Sequence, residues 1–324
     1  MRYSKDTTTL VISVIMSVYN GEKFLRLAIN SILNQTYGNL EFIIIDDAST
    51  DQTHRILESF NDSRLVILRN SHNLGLTKSL NKGLQIAKGL FVARLDADDI
   101  AHPTRIEKQL NFLYQHPDTI VVGTNMELID NQGRRLGSSE YPEDHAEIIK
   151  VLNNHSPFSH PSVMFKKSAV LEVGGYRSVF KAGQDYDLWL RLRDKGRFAN
   201  IQENLLKYRI HNDQVTIKKL KLQHSLHMKA RNEALGLSDY SLLDKLKGKS
   251  GTLGSKYLSI AYLQRQLNRN DIAAKTCLYS IWHSPFNTNA WKFLFNCGKS
   301  TKSYDLVKYY KNRMLCIIYH KDII

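Results

Sequence analysis

Cysteine is scarce in this sequence. Its 324 residues hold three cysteines, Cys277, Cys297 and Cys316, all of which lie near the C-terminus. Their number is odd and no two of them form a CxxC pair. These features argue against a disulfide framework and against a thiolate zinc site, and they favour a reducing compartment.

Long apolar runs are also missing. The apolar stretch Leu10–Val18 is interrupted by Ser13 and Ser17 and is far shorter than the roughly 20 residues of a membrane span. Arg2 and Lys5 precede it, as in a secretory signal, but no small-residue cleavage site follows. We therefore expect a cytoplasmic protein with neither a signal peptide nor a membrane-spanning helix.

Several familiar motifs are absent. No GxGxxG follows the first predicted strand, which argues against a dinucleotide-binding fold. Gly75-Leu76-Thr77-Lys78-Ser79 faintly resembles a phosphate loop but lacks the glycine before the lysine. Neither GxSxG nor HExxH occurs, which argues against the hydrolases and metalloproteases that use them.

The net charge of +14 is confined to the last third of the chain. Residues 1–206 hold 24 Lys/Arg and 24 Asp/Glu, whereas residues 207–324 hold 21 Lys/Arg and 7 Asp/Glu, a difference of 14. This asymmetry predicts a neutral catalytic body and a basic tail that faces something anionic, either lipid or nucleic acid.

The first hundred residues alternate between strand-like and helix-like patterns. Leu10–Val18 is typical of a strand buried on both faces, and Leu25–Leu33 repeats its apolar residues at helical spacing. Two further repeats follow, so the pattern predicts an α/β fold with a mostly parallel central sheet and flanking helices. We also predict strands at 42–45, 65–68, 90–95, 120–123 and 126–129, and helices at about 50–60, 77–87, 103–116 and 185–195.

The C-terminal part has a different character. We place the main domain at residues 1–235 and a basic α-helical extension at residues 236–324. Tyr257, Ala261 and Tyr262 begin a pattern that resembles one tetratricopeptide-like helical pair, which needs a surface to dock on. Two interpretations of the basic apolar helices stay open: a surface that binds anionic membrane, or helices packed on the catalytic body.

Acidic residues follow two of the predicted strands. Asp46-Asp47 follows Phe42–Ile45, and Asp96-Ala97-Asp98-Asp99 follows Leu90–Leu95. Ligands of open α/β sheets bind at the carboxyl ends of strands. Carboxylates gathered there repel one another unless a cation lies between them, and a divalent metal with its phosphate ligands fits that need. The alternative, solvated loop acids, explains a single Asp better than it explains two clusters.

An ordered series of motifs resembles glycosyltransferase family 2. This family has the GT-A fold and inverts configuration at the anomeric carbon of the sugar, so the resemblance implies both. It covers roughly the first 215 residues. The motifs are Ile15–Asn20, Ile45–Asp51, Ala93–Asp99, His160–Phe165, Gly174–Tyr176, Gln184–Arg191 and Tyr208–Gln214.

The resemblance implies a role for each acid of the two clusters. Asp47 would bind the base of a nucleotide-sugar donor, with Ser17 and Tyr19 nearby. Asp96 would hold the ribose hydroxyls, and Asp98, the last acid of a DxD motif, would ligate Mn²⁺ or Mg²⁺. Such a metal stabilises charge on the departing nucleoside diphosphate. For Asp99, a second ligand and a helix N-terminal acid both stay open.

The resemblance also implies a general base. Asp185 would take the proton from the attacking acceptor hydroxyl. The family usually has Glu-Asp here, and Gln184-Asp185 removes one neighbouring charge. Asp187 lies about 200° around the helix from Asp185 and is better explained as a first-turn acid. His211 is a candidate for the metal or the diphosphate, with a structural role as the alternative.

We predict metal-dependent, inverting transfer from a nucleotide-sugar, UDP-sugar above all, to a hydroxyl of a cell-surface polysaccharide or lipid-linked oligosaccharide. The enzyme would be cytoplasmic, with possible peripheral contact at the inner face of the membrane. A non-catalytic interaction protein with a vestigial sugar-nucleotide site is the main alternative, and nucleotidyl transfer is another. Nucleic-acid binding rests on the tail's charge alone, so we expect no nucleic-acid partner.

Overall fold

A computed structural model describes residues 11–211 and 220–234. The chain divides into two compact units, Met1–Leu237 and Ser238–Ile324, and the described residues belong to the first of them. The predicted tetratricopeptide-like pair and the basic amphipathic surface of residues 236–324 lie outside the described residues.

The described residues form one mixed sheet of nine strands. The strands are β1 Ile12–Val18, β2 Leu40–Asp46, β3 Leu65–Arg69, β4 Phe91–Arg94, β5 Ile100–Ala101, β6 Thr119–Ile129, β7 Arg135–Ser139, β8 Met164–Lys166 and β9 Arg197–Arg209. Their order is β3-β2-β1-β4-β8-β6-β9-β5, and β7 pairs with β6. Strands β1 to β4 run parallel, β8 is antiparallel to β4 and β6, and β9 is parallel to β6.

Eight helices accompany the sheet in this part of the chain. They are α1 Leu25–Leu33, α2 Thr53–Glu58, α3 Leu76–Ile86, α4 Arg105–Gln115, α5 His145–Leu152, α6 Lys167–Glu172, α7 Gln184–Leu192 and α8 Leu220–Ala234, with a short 3₁₀ turn at His160–Ser162. Within residues 11–211 and 220–234, no helix is both long and apolar enough to span a membrane.

The sheet separates two apolar layers. Val14 and Met16 of β1 pack with buried residues of α1 and α4 on one face, whereas Ile15 packs with residues of α3 and α7 on the other. Adjacent residues of a strand point to opposite faces, so a strand covered on both sides is apolar throughout. The predicted α/β architecture is confirmed.

Two predictions of secondary structure were wrong in detail. Residues 120–129 form the single strand β6 rather than two strands. Thr124 and Asn125 interrupt the apolar pattern, but both are buried, and the Asn125 Oδ1 atom accepts a hydrogen bond from the Tyr141 N–H at 2.9 Å. The register of β6 against β9 is irregular at the same two residues. Helix α7 ends at Leu192, before the predicted Lys195.

Candidate active site

The two acidic motifs lie at one edge of the sheet. In the parallel register, Val18 at the end of β1 is level with Asp46 at the end of β2. Strand β4 pairs with the other side of β1, with Arg94 opposite Ile15, and it leads directly into Asp96. The structure therefore brings the carboxyl ends of β1, β2 and β4 together, as the parallel sheet predicts.

Asp47 organises the loop before α3. Its side chain is buried, and its Oδ1 atom accepts hydrogen bonds from Asn70 Nδ2 at 2.7 Å and from the Leu74 N–H at 2.8 Å. Its Oδ2 atom accepts the Gly75 N–H at 2.8 Å. Gly75 has φ +84°, which a glycine adopts without strain. Each carboxylate oxygen accepts about two hydrogen bonds, so Oδ2 retains a free acceptor site for a ligand.

Asp46 is a second buried acid at this edge. Its Oδ1 atom accepts the Ser49 N–H at 2.9 Å, and its Oδ2 atom lies 3.5 Å from Arg69 Nε. The Asp46 side chain is fully buried, whereas half of the Arg69 side chain is exposed. Asp46 therefore shapes the loop after β2, while the guanidinium of Arg69 faces solvent beside it.

Ser17 and Tyr19 lie where β1 ends and the loop after it begins. Ser17 is half-buried at the end of β1, and Tyr19 is 51% exposed just after it, which leaves its ring free to stack on a flat ligand. Asn20 has φ +54°, and its Oδ1 atom accepts the Thr50 N–H at 2.8 Å. This bond joins the loop after β1 to the loop after β2.

Asp96 is paired with a buried arginine that sequence reasoning missed. Arg94 is 1% exposed, and its guanidinium donates hydrogen bonds to the carbonyl oxygens of Ile15 (3.0 Å) and Leu95 (2.6 Å) and to Asp96 Oδ1. Burial raises the pKa of Asp96, the neighbouring Asp98 raises it further, and Arg94 opposes the increase. Arg94 therefore fixes the orientation of the Asp96 side chain.

Asp98 and His211 meet at the same edge. The Asp98 Oδ2 and His211 Nε2 atoms are 2.8 Å apart, and both side chains are partly exposed. Two cis ligands held about 2.1 Å from an octahedral ion lie about 3 Å apart, so the pair fits two adjacent ligand positions of Mn²⁺ or Mg²⁺. In residues 11–211 and 220–234, no group of three His, Cys, Asp or Glu side chains could hold a metal. Further ligands would come from a donor diphosphate.

Asp99 holds the strand that carries His211 into the site. Its side chain is fully buried, and its Oδ1 atom accepts the Arg209 N–H at 2.9 Å. Burial raises the pKa of Asp99 well above its usual range, and the charges of Asp98 and Asp96 raise it further. Strand β5 follows Asp99, so the interpretation of this residue as a helix N-terminal acid was wrong.

Phe24 contacts Arg209, the last residue of β9, and His211, which follows the strand, a role that no motif indicated. The guanidinium carbon of Arg209 lies 4.3 Å from the centre of the Phe24 ring, and the His211 ring centre lies 5.4 Å from it. Arg209 Nε also donates to the Asp98 carbonyl at 2.9 Å. These contacts fix the end of β9 beside Asp98.

Asp185 lies in the first turn of α7. Burial raises the pKa of its carboxyl to about 6, the N–H of Tyr186 and its own N–H oppose the increase, and Asp96 adds to it. Burial raises the pKa of Tyr141 to about 12, and Asp185 contributes to that increase. The pKa of Asp185 therefore suits a base near neutral pH.

Asp187 and Trp189 belong to the framework of α7. Asp187 is 1% exposed and forms ion pairs with Arg177 and, at 2.8 Å, with Arg191. Arg191 is thus paired with an acid of its own helix, one turn away. Trp189 is fully buried in the apolar layer with Phe158, so it is a core residue rather than a wall of the acceptor site.

His160, which belongs to one of the quoted motifs, has a buried partner. Its Nε2 atom lies 2.8 Å from the Tyr176 hydroxyl. Burial lowers the pKa of His160 well below its usual range, and Arg94 lowers it further. His160 is therefore neutral at physiological pH, and it supports the Tyr176 side chain. Burial raises the pKa of the Tyr176 hydroxyl, and the charges of Asp185 and Asp96 contribute to the increase.

The fold resembles that of solved crystal structures. The crystal structure of S. aureus TarS 1–349 in complex with UDP-GlcNAc superposes with a TM-score of 0.56 and 17% identity, covering 92% of each chain. A longer TarS crystal structure matches with a TM-score of 0.54 and 18% identity, covering 88% of this chain and 55% of that one. The predicted GT-A fold is confirmed.

Sequence comparison identifies the family. The model of glycosyl transferase family 2 matches residues 13–175. The putative glycosyltransferase EpsE of Bacillus subtilis (strain 168) is 38% identical over 246 residues, 72% of this chain and 87% of EpsE. The O-antigen biosynthesis glycosyltransferase WbnJ of Escherichia coli is 38% identical over 210 residues, 62% of this chain and 80% of WbnJ. The chain belongs to glycosyl transferase family 2 and is a glycosyltransferase.

Proposed function

We propose that this glycosyltransferase transfers a sugar from a UDP-sugar to an acceptor hydroxyl, with inversion and with a divalent metal. The acceptor would be a growing cell-surface polysaccharide or a lipid-linked oligosaccharide. The observation that carries the proposal is the gathering of Asp47, Asp96 and Asp98 just after β2 and β4, the two strands that flank β1 in the sheet. Burial raises the pKa of Asp185 to about 6, which suits the base.

The donor end is supported by the loops after β1 and β2. Asp47 retains acceptor capacity on Oδ2 for an N–H of the base, and the exposed ring of Tyr19 offers a stacking surface. Asp96, held by Arg94, offers a carboxylate oxygen to the ribose hydroxyls. The TarS neighbour bound to UDP-GlcNAc supports a UDP-sugar, and WbnJ, named for O-antigen biosynthesis, supports a polysaccharide product.

The chemistry follows from the placement of Asp185. Its carboxylate takes the proton of the acceptor hydroxyl while the oxygen attacks the anomeric carbon and the bond to the diphosphate breaks. Attack on the face opposite the leaving group inverts the anomeric configuration. Asp98 and His211 would hold Mn²⁺ or Mg²⁺, which when bound supplies positive charge to the departing nucleoside diphosphate.

The basic C-terminal part supports the proposal that the enzyme acts at an anionic membrane surface. Residues 207–324 carry the whole net charge of +14, and attraction to an anionic lipid surface is worth about 1 kcal/mol per basic residue near it. We expect the protein to sediment with vesicles that contain phosphatidylglycerol, less so in high salt, and not with phosphatidylcholine vesicles. Sedimentation with neither kind of vesicle would contradict this part of the proposal.

Product analysis tests the reaction itself. The enzyme is incubated with Mn²⁺, α-linked UDP-sugars and a panel of lipid-linked or aryl sugar acceptors, and the product is examined by NMR. We expect a β-linked product together with UDP. An α-linked product would contradict inversion, and release of sugar 1-phosphate in place of UDP would instead indicate nucleotidyl transfer.

A further inference from the structure

The segment that precedes the candidate base has an irregular backbone. Residues 174–183, the approach segment, join α6 to α7 and end next to Asp185. Gly174, Gly175 and Gly183 have φ of +82°, +68° and +68°, a left-handed conformation that favours glycine. Helix α6 ends before this segment and α7 begins after it, and several of its backbone groups bond to side chains of neighbouring helices.

Helix α3 supplies two of these side chains, and Arg191 of α7 supplies another, donating to the Gly175 carbonyl at 2.8 Å. Asn81 Nδ2 donates to the Tyr176 carbonyl at 2.7 Å, and the Tyr176 N–H donates to Asn81 Oδ1 at 3.0 Å. One turn earlier, Thr77 Oγ1 donates to the Phe180 carbonyl at 2.8 Å. Residues four apart lie on one face of a helix, so α3 holds the approach segment at two points with a single face.

The same helix is attached to the donor side of the site. Its start is fixed by Asp47, which accepts the Leu74 and Gly75 N–H groups. Asp47 is the residue to which we assign the donor base. Helix α3 therefore joins the donor-base residue at its N-terminus to the segment that ends beside the general base.

We propose that Thr77 and Asn81 are positioning residues for Asp185. They fix the backbone of the approach segment and thereby the start of α7. Because Asp47 fixes the start of α3, this also fixes the distance between the bound donor and Asp185. The proposal rests on the proposed function, because it takes Asp47 as a donor contact and Asp185 as the base. Misplacing a reacting group by about 1 Å can lower a rate by about 100-fold.

Burial alone does not set this geometry. Tyr176 and Phe180 are both buried in the apolar layer on this face of the sheet, and a non-directional contact of that kind tolerates small shifts of the backbone. The hydrogen bonds from Thr77 and Asn81 are directional, since their strength falls steeply with angle. Their loss would leave buried carbonyl groups unpaired and free the segment to move.

Matched variants test the proposal. Thr77→Val removes the hydroxyl with little change of shape, and Thr77→Ser restores it; Asn81→Leu removes the amide in the same way. Gln35→Met is the control, because the Gln35 amide also clamps a distant backbone, donating to the His102 carbonyl at 2.8 Å and accepting the Ile106 N–H at 3.0 Å. For each full-length variant, kcat and KM for UDP release, the Kd of UDP and the Tm are measured.

We expect Thr77→Val and Asn81→Leu to lower kcat by about 10- to 100-fold, with donor KM and the Kd of UDP within about twofold of wild type. Thr77→Ser should recover most of kcat, and Gln35→Met should lower the Tm without lowering kcat. Equal kcat for Thr77→Val and Thr77→Ser, or an equal loss in Gln35→Met, would overturn the proposal. If either Thr77→Val or Asn81→Leu fails to fold, the kcat of the other variant is still compared with that of Gln35→Met.

The outcome for wild type separates this inference from the proposed function. If wild type releases UDP and only the comparison of variants fails, the positioning role is wrong and the proposed function stands. If wild type releases no nucleoside diphosphate from any donor, the proposed function fails and the positioning role falls with it.

Discussion

His211 Nε2 lies 2.8 Å from Asp98 Oδ2, although 113 residues separate the two in the chain. Two further contacts hold these side chains together: Asp99 accepts a hydrogen bond from the Arg209 N–H, and the Arg209 guanidinium packs over the Phe24 ring. The end of β9 is thereby held against the loop that carries the DxD acids. In the proposed function this carboxylate and this imidazole would supply two ligands of a divalent metal, and a donor diphosphate would supply others.

The first prediction concerns metal binding. Asp98→Asn should weaken binding of Mn²⁺ to the enzyme–UDP complex by at least about tenfold, because a neutral amide oxygen is a poorer ligand than a carboxylate. Electron paramagnetic resonance of free Mn²⁺ measures this without turnover. Asp62→Asn is the control, since Asp62 is paired with Arg64 in a loop far along the chain from the DxD motif. Equal Mn²⁺ affinity in wild type and Asp98→Asn would contradict the assignment.

The second prediction concerns pH. Burial raises the pKa of Asp185 from its ordinary 3.8 to about 6. A general base must be deprotonated, so log(kcat/KM) should rise with a slope of about 1 as pH increases towards about 6 and level off above it. An Asp with an ordinary pKa would place this limb about two units lower. A rate that is flat between about pH 4.5 and 8 would show that Asp185 is not the base.

The third prediction concerns the buried arginine. Arg94→Met should lower the free energy of unfolding by about 1–3 kcal/mol, because it leaves the Ile15 and Leu95 carbonyls without their buried donor and Asp96 without its partner. Arg64→Met, which removes an arginine that pairs with Asp62 nearer the surface, should cost roughly 0–1 kcal/mol. Urea denaturation of both full-length variants makes the comparison. Similar losses in the two variants would mean that Arg94 does not support Asp96 as described.

The fourth prediction concerns the residue that caps α7. Gly183 has φ +68°, and a Cβ atom there would lie 2.3 Å from the His227 ring of α8. Gly133 has φ +82° but nothing within 4 Å of such an atom. Gly133→Ala should therefore cost only the backbone strain, about 1–2 kcal/mol, whereas Gly183→Ala should cost more and also lower kcat. Equal Tm losses would argue against the close approach of α8.

Sequence patterns predicted the acids at the strand ends because both signals are local. A buried parallel strand is mostly apolar, so Asp46 and Asp96 mark the points where the apolar runs of β2 and β4 end. The order of the family motifs then indicated which acid has which role. Those roles remain predictions.

The features that were missed depend on contacts between distant segments. Nothing near Arg94 in the sequence shows that it is buried, because an arginine is normally exposed unless it is paired. The clamp of Thr77 and Asn81 on residues 176 and 180 spans about a hundred positions. The uninterrupted β6 was missed because the partner of Asn125, the Tyr141 backbone, lies on another segment.

Release of nucleoside diphosphate tests the central claim most directly. The full-length enzyme is incubated with Mn²⁺ and each of a panel of UDP-, GDP- and dTDP-sugars, alongside Asp98→Ala, Asp185→Asn and a chelator control. We predict slow release of UDP from a UDP-sugar that is lost with the chelator and in both variants. Release from no donor, together with no binding of UDP in the presence of Mn²⁺, would contradict the account.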